Sequence, residues 1–189
     1  MTPAILVTFS SRTGATERLA LAAAVGAVQA RGNIRLRRLP DGGQDGRTGE
    51  ISEAAERMTK EYVSPSGDDV LWADGLVFCP STGSGGAWTG YLDLLGRMSA
   101  GGKLDGKIAA VVAPATGSEA VLSASILRLG FIVLPPSPAA PAAPAEDAGD
   151  AIDAIDAIDA AQVQGRRLAM LVRALDGKTP TWGEAHRLR

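Results

Sequence analysis

"AILVTF" (residues 4–9) runs directly into "SSRTGATERLA" (residues 10–20), and this junction decides the fold. The first six residues are a short, continuous apolar run stopped by hydroxyls, the pattern of a buried strand. Residues 15–31 are rich in alanine and leucine, and "RGN" (31–33) stops them, which reads as a helix with a glycine stop. Ser10, Ser11, Thr13 and Thr16 therefore gather around Gly14 where a strand gives way to a helix.

The rest of the chain repeats that alternation. "IRLRRL" (34–39) sets Ile34, Leu36 and Arg38 against arginines and reads as an edge strand with one wet face. "PDGGQDGRTG" (40–49) reads as a loop and residues 50–63 as a modest, well-exposed helix. "GLVFC" (75–79) is a second buried strand, followed by a glycine-rich loop, "PSTGSGGAWTG" (80–90), and "YLDLLGRM" (91–98), which begins or continues a helix. "GKIAAVVAP" (106–114), a loop and helix over 115–130, and "FIVLPP" (131–136) complete the pattern. Strands that show no hydrophobic alternation except the second, each followed by a helix, predict an α/β protein with a doubly wound parallel sheet covered on both faces.

Residues 1–134 are expected to form the core domain. Prolines 135, 136, 138, 141 and 144 predict an extended or disordered linker over 135–149. "DAIDAIDAIDA" (150–160) places Ile152, Ile155 and Ile158 on a slanted stripe, because a period of three drifts slowly around a helix. It is expected to extend a final helix ending near residue 176, with Leu168, Leu171, Val172 and Leu175 at helical spacing and 177–189 as a tail.

Composition excludes several classes. A net charge of −2 lacks the basic footprint of a nucleic-acid binder. The single cysteine, Cys79, permits no internal disulfide and fits a reducing cytoplasm. Cys79 lies in an apolar strand and reads as a buried structural thiol, since the only histidine, His186, sits in a polar tail. The N-terminus shows no signal-peptide pattern, and no apolar run approaches the ~20 residues that cross a bilayer.

The clustered hydroxyls suggest phosphate. In an open parallel sheet, ligands bind beyond the carboxyl ends of strands where the strand order reverses. The helix following "AILVTF" presents unpaired N–H groups there, with partial positive charge. Hydroxyls add donors, and Gly14 permits close backbone approach. The alternative is that Thr13 or Thr16 merely caps the helix, which accounts for one hydroxyl of the four. Arg12 either faces phosphate or is exposed, and exposure is favoured. Other phosphate motifs fail: no G-x-x-x-x-G-K-[ST] is present, and "GSGGAW" has Trp88 where the dinucleotide fingerprint needs its third glycine. There is also no cysteine–arginine phosphatase loop.

"SRTGAT" (11–16) after a first strand resembles the flavodoxin phosphate loop. "PSTGSGG" (80–86), "YLD" (91–93), "PATGSE" (114–119) and "AAQVQGRRLA" (160–169) follow in the order seen in the tryptophan-repressor-binding-protein family of NAD(P)H:quinone oxidoreductases. The resemblance covers about residues 3–134 and 160–176. It implies a flavodoxin-like five-stranded parallel sheet of order 2-1-3-4-5, FMN as cofactor, NAD(P)H and quinone-like partners, and a possible homo-oligomer. It implies FMN contacts from Ser10, Ser11, Arg12, Thr13, Gly14, Ala15 and Thr16 on the phosphate side. On the ring side it implies Pro80, Ser81, Thr82, Gly83, Ser84, Gly85 and Trp88, with Ala115, Thr116 and Gly117 opposite. This sequence departs from the family in shorter loops after Pro80 and Pro114, in the missing histidine of the latter, and in "PPSPAAPAAP" (135–144) where the family is glycine-rich.

Two duties are open for Trp88: flanking the flavin ring, or starting the next helix and packing in the core. Trp72 and Trp182 read as surface or packing residues, and Asp93 and Glu119 as helix caps. No side chain is named as catalytic, because the cofactor carries the chemistry. The expected function is two-electron reduction of a quinone by NAD(P)H. The alternative is a one-electron carrier of the flavodoxin type or an FMN-free interaction module, and the low net charge offers little of the steering a carrier uses.

Overall fold

The computed structural model describes residues 1–40, 52–81, 85–113, 116–136 and 155–175. Five strands alternate with helices: β1 (Ala4–Phe9), α1 (Ala15–Gln29), β2 (Asn33–Arg38), α2 (Glu53–Glu61), α3 (Gly67–Trp72), β3 (Gly75–Cys79), α4 (Gly85–Ser99), β4 (Ile108–Val111), α5 (Thr116–Arg128), β5 (Ile132–Val133) and α6 (Ile155–Ala174). All neighbouring strands pair in parallel, in the order β2-β1-β3-β4-β5. This is the doubly wound sheet of order 2-1-3-4-5 expected from the sequence.

The continuous apolar runs follow from burial on both sides of the sheet. Ile5, Val7 and Phe9 of β1, Val77 and Cys79 of β3, and Ile108 and Ala110 of β4 face a core shared with α1, α2 and α6. Leu6, Leu76, Phe78, Ala109 and Val111 face the opposite core, built with α3, α4 and α5. Cys79 is fully buried, and desolvation pushes its thiol well above the usual range, as a structural cysteine requires. Helices α1 and α6 cross closely where Gly26 and Gly165 lack side chains. Leu168 and Val172 of α6 are buried and Leu171 and Leu175 pack beside them, as the helical spacing predicts. Among the described residues, no helix is long and apolar enough to cross a membrane.

Several sequence expectations need correction. β2 is the edge strand expected, but its arginine face is only partly wet: Arg35 and Arg37 both pair with buried Asp69, at 3.1 Å and 2.9 Å. Arg35 also lies 4.2 Å above the Trp72 ring, which settles the packing duty of that tryptophan. Arg37 reaches over its own strand to donate to the Leu36 carbonyl at 3.1 Å. Asp69 belongs to α3, a helix unmarked in the sequence reading, where Ser66 and Asp69 form a reciprocal capping box. Helix α2 is anchored as well as exposed, with Ala55 and Met58 buried. Helix α4 begins at Gly85, so "YLDLLGRM" continues a helix rather than beginning one, and half of the expected glycine-rich loop is helical. The linker residues 137–149, Ile152, the tail from 176 and Trp182 and His186 lie outside the described residues.

Candidate functional site

Strand order reverses between β1 and β3, so the crevice beyond their carboxyl ends is the switch point of the sheet. Two loops leave from it, 10–14 after β1 and the segment opened by Pro80 and Ser81 after β3. The strand ends are stitched there by Ser10 N–H to the Cys79 carbonyl, 3.2 Å.

The clustered hydroxyls divide into two groups. Ser10 is fully buried and works inside the protein. Its Oγ accepts from the Trp88 indole Nε1–H at 2.9 Å and from the Ser81 N–H at 3.2 Å, with the Ser81 hydroxyl 3.3 Å away. Both lone pairs are therefore committed, and Ser10 pins the two loops to α4. Trp88 follows the same logic. It sits in the first turns of α4, 5% exposed, in the core with Phe78 and Tyr91 at ring distances of 6.0 Å and 6.1 Å. Of its two open duties, the structure gives it core packing.

The second group is the loop itself. Ser11 Oγ accepts from Gly14 N–H at 3.0 Å, closing a tight turn. Gly14 caps α1 in the left-handed region, φ 92° and ψ −8°, where a side chain would be strained. No side chain caps the helix. No hydrogen bond to a described residue takes the N–H groups of Arg12, Thr13, Ala15, Thr16 or Glu17. Thr13 and Arg12 are exposed, Ala15 is half-buried and Thr16 is buried at the helix start. Several donors thus lie together at the positive end of a 15-residue helix.

An acid in the first turn would oppose an anion there. Glu17 is such an acid, yet its carboxylate is buried and turned toward α2. Arg57 donates to both of its oxygens and the Tyr62 hydroxyl to one, at 2.7 Å. Burial by itself would raise the Glu17 carboxyl, but these bonds and the nearby Arg38 charge outweigh it and hold it below the usual range. Burial and the same carboxylate push Tyr62 up to about 12. Sequence reasoning missed this α2 network. The only local signal was Ser52 ahead of an acidic first turn, an N-cap pattern now seen in its bond from Ala55 N–H at 3.2 Å.

On the ring side, Pro80 is buried and Ser81 half-buried, and Gly85 is the first residue of α4. Thr116 and Gly117 open α5. Thr82, Gly83, Ser84 and Ala115 lie outside the described residues. Gln164, from the segment matched to the family's last helix, is buried and donates to the Pro135 carbonyl at 2.9 Å, fixing the chain as it leaves β5.

No protein-family model matches the chain, and no curated protein matches its sequence. Solved structures do match. A flavodoxin, WrbA-like protein from Agrobacterium tumefaciens superposes with a TM-score of 0.60 at 18% identity, over 92% of this chain and 99% of that one. A flavodoxin from the domain Archaea gives 0.60 at 14% identity, over 90% and 99%. A flavodoxin from Streptococcus pneumoniae gives 0.56 at 15% identity, over 89% and 99%. This likeness shows the fold: the chain is flavodoxin-like.

Proposed function

We propose that this chain is an FMN-binding oxidoreductase that passes two electrons from NAD(P)H to a quinone-like acceptor, in the cytoplasm. The observation that carries the reading is the set of N–H donors between Arg12 and Glu17 that bond to no described residue, at the switch point of a flavodoxin-like sheet. The residues present fit a phosphate ester. Gly14 carries no side chain, Thr13 and Thr16 carry hydroxyls, and the Glu17 carboxylate, whose Oε2 would lie 3.5 Å from a Cβ on Gly14, is paired with Arg57. Such an anion needs no lysine, because the amides and the helix end supply the positive potential.

FMN, when bound, supplies hydride acceptance and release, which asks the protein for orientation and electrostatics rather than for an acid or base. Ser11, Thr13, Gly14, Ala15 and Thr16 hold the phosphate end, with Arg12 at its rim. Ser10 and Trp88 fix where the Pro80–Ser81 loop begins, so the ring-side residues start from a rigid point. Ser81 to Gly85 and Ala115 to Gly117 are proposed to border the ring. A homo-oligomer that closes the site belongs to the same reading.

The test is the absorption spectrum of the purified protein, followed by titration of flavin-free protein with FMN and with riboflavin. FMN is expected to bind far more tightly, because only it carries the phosphate. Equal affinities would reduce the loop to a helix cap and overturn the reading.

A further inference from the structure

We infer that Arg38 and Ser52 are positioning residues that set the direction of the peptide groups in loop 10–14, so that phosphate binding and the docking of α2 are coupled. This rests on the FMN reading above and adds the device that shapes its site.

The inference starts from peptide geometry. In a planar trans peptide the C=O and the N–H point to opposite sides. The Ser11 carbonyl accepts from the buried Arg38 guanidinium, Nη2, at 3.1 Å. Its peptide partner, the Arg12 N–H, therefore points away from β2. The Arg12 carbonyl accepts from the Ser52 hydroxyl. Its peptide partner, the Thr13 N–H, points away from α2. Two successive carbonyls are drawn to the protein side, and two successive N–H groups are turned outward by the same ties.

Both anchors also hold α2. Ser52 Oγ accepts from Ala55 N–H while donating to the loop, so one hydroxyl caps the helix and ties the loop. Arg38 Nη1 donates at 3.1 Å to Thr59 Oγ1, which donates onward to the Ala55 carbonyl at 2.8 Å. Arg57 and Tyr62 complete the attachment through Glu17. Only Ala55 and Met58 of α2 are buried, so these polar ties form much of its hold on the core. A ligand that requires the outward N–H groups therefore favours the docked helix, and a ligand that ignores them does not.

The experiment measures FMN and riboflavin affinity and amide hydrogen exchange in α2 for the wild type, Ser52→Gly, Ser52→Thr and Arg38→Met. Glycine costs an N-cap little and adds no charge, but it cannot donate to the Arg12 carbonyl. The expected result is an FMN affinity lowered about fivefold in Ser52→Gly, the loss of one hydrogen bond's worth of positioning, with riboflavin unchanged and Ser52→Thr restored. FMN slows α2 exchange in the wild type but not in Ser52→Gly, and riboflavin slows it in neither. Arg38→Met gives the same selective loss, with its folding checked by circular dichroism and the Ser52 variants deciding if it fails to fold. If the wild type prefers FMN yet Ser52→Gly keeps the wild-type FMN-to-riboflavin ratio, and α2 exchange ignores FMN, the coupling is overturned and the FMN reading stands. If the wild type itself shows no preference, the FMN reading fails and takes this inference with it.

Discussion

Gly165 of α6 rests its α-carbon on the Ala23 carbonyl of α1: a Cβ added there would stand 1.9 Å from that oxygen. The reciprocal contact is as tight, since a Cβ on Gly26 would stand 1.9 Å from the Gln162 carbonyl oxygen. Backbone atoms cannot swing aside as a flexible side chain can. Gly165→Ala and Gly26→Ala are therefore expected to destabilise by about 1–3 kcal/mol or more each, the usual cost of overpacking. Urea midpoints check this, and a shift within error for both would mean the helices have room to separate.

Trp88→Phe tests the pin at Ser10. The core ring is largely kept, while the bond from Nε1 to Ser10 Oγ is lost. A loss of about 1 kcal/mol from the bond is expected, more if the Ser10 oxygen stays dry, alongside a packing cost for the smaller ring. Ser10→Ala in the Trp88→Phe background should then cost less than in the wild type. Additive costs in this double-mutant cycle would show that the two residues are not coupled.

Replacing Thr13 and Thr16 together by alanine removes two donors to a charged group, each worth about 1.5–3 kcal/mol. FMN affinity should fall at least about tenfold, with riboflavin unaffected. Isothermal titration with both flavins reads the difference directly.

Asp69 sets an acid-stability window. Burial alone would raise its carboxyl, but the bonds from Arg37 and Ser66 hold it down, from 3.8 to about 2. A lowered folded-state value means the stabilisation is complete above pH 4 and disappears as pH falls through 2. Asp69→Asn should be markedly less stable than the wild type at pH 6, with the gap closing toward pH 2. A gap independent of pH would indicate that Asp69 acts only through its shape.

Turnover gives the proposed chemistry its own check. Anaerobic mixing of FMN-loaded protein with NADH or NADPH should bleach the visible flavin band before any quinone is added. A band that persists under excess of both nicotinamides would leave the carrier or interaction-module reading.

Much of this architecture is legible in the chain because burial on both faces of a parallel sheet leaves unbroken apolar runs, as in Ile5–Phe9 and Leu76–Cys79. What escaped depends on distant partners. Ser10 looks like any other hydroxyl of its cluster until Trp88 is placed beside it. Gly85, Gly86 and Gly90 read as loop, each costing about 1 kcal/mol in a helix, yet the packing of Trp88 and Tyr91 carries the helix through them. The arginines of β2 look solvated because Asp69 lies more than thirty residues on, in a helix too short to show a period. Arg38 carries no recognisable motif and the N-cap pattern of Ser52 gives no sign of its tie to the loop, since both hold carbonyl oxygens whose positions only the folded loop defines.

The guanidinium of Arg37 also bears on aggregation. A strand at the rim of a sheet offers its outward carbonyls to any passing extended chain. At β2 that approach meets Arg37, already bonded to the Leu36 carbonyl and clamped by Asp69. An incoming strand would have to displace a cation held by a buried carboxylate. At the opposite rim β5 is only two residues long, too short a template to nucleate pairing. Amyloid-like growth by edge addition is thus guarded at both rims, by charge at one and by brevity at the other.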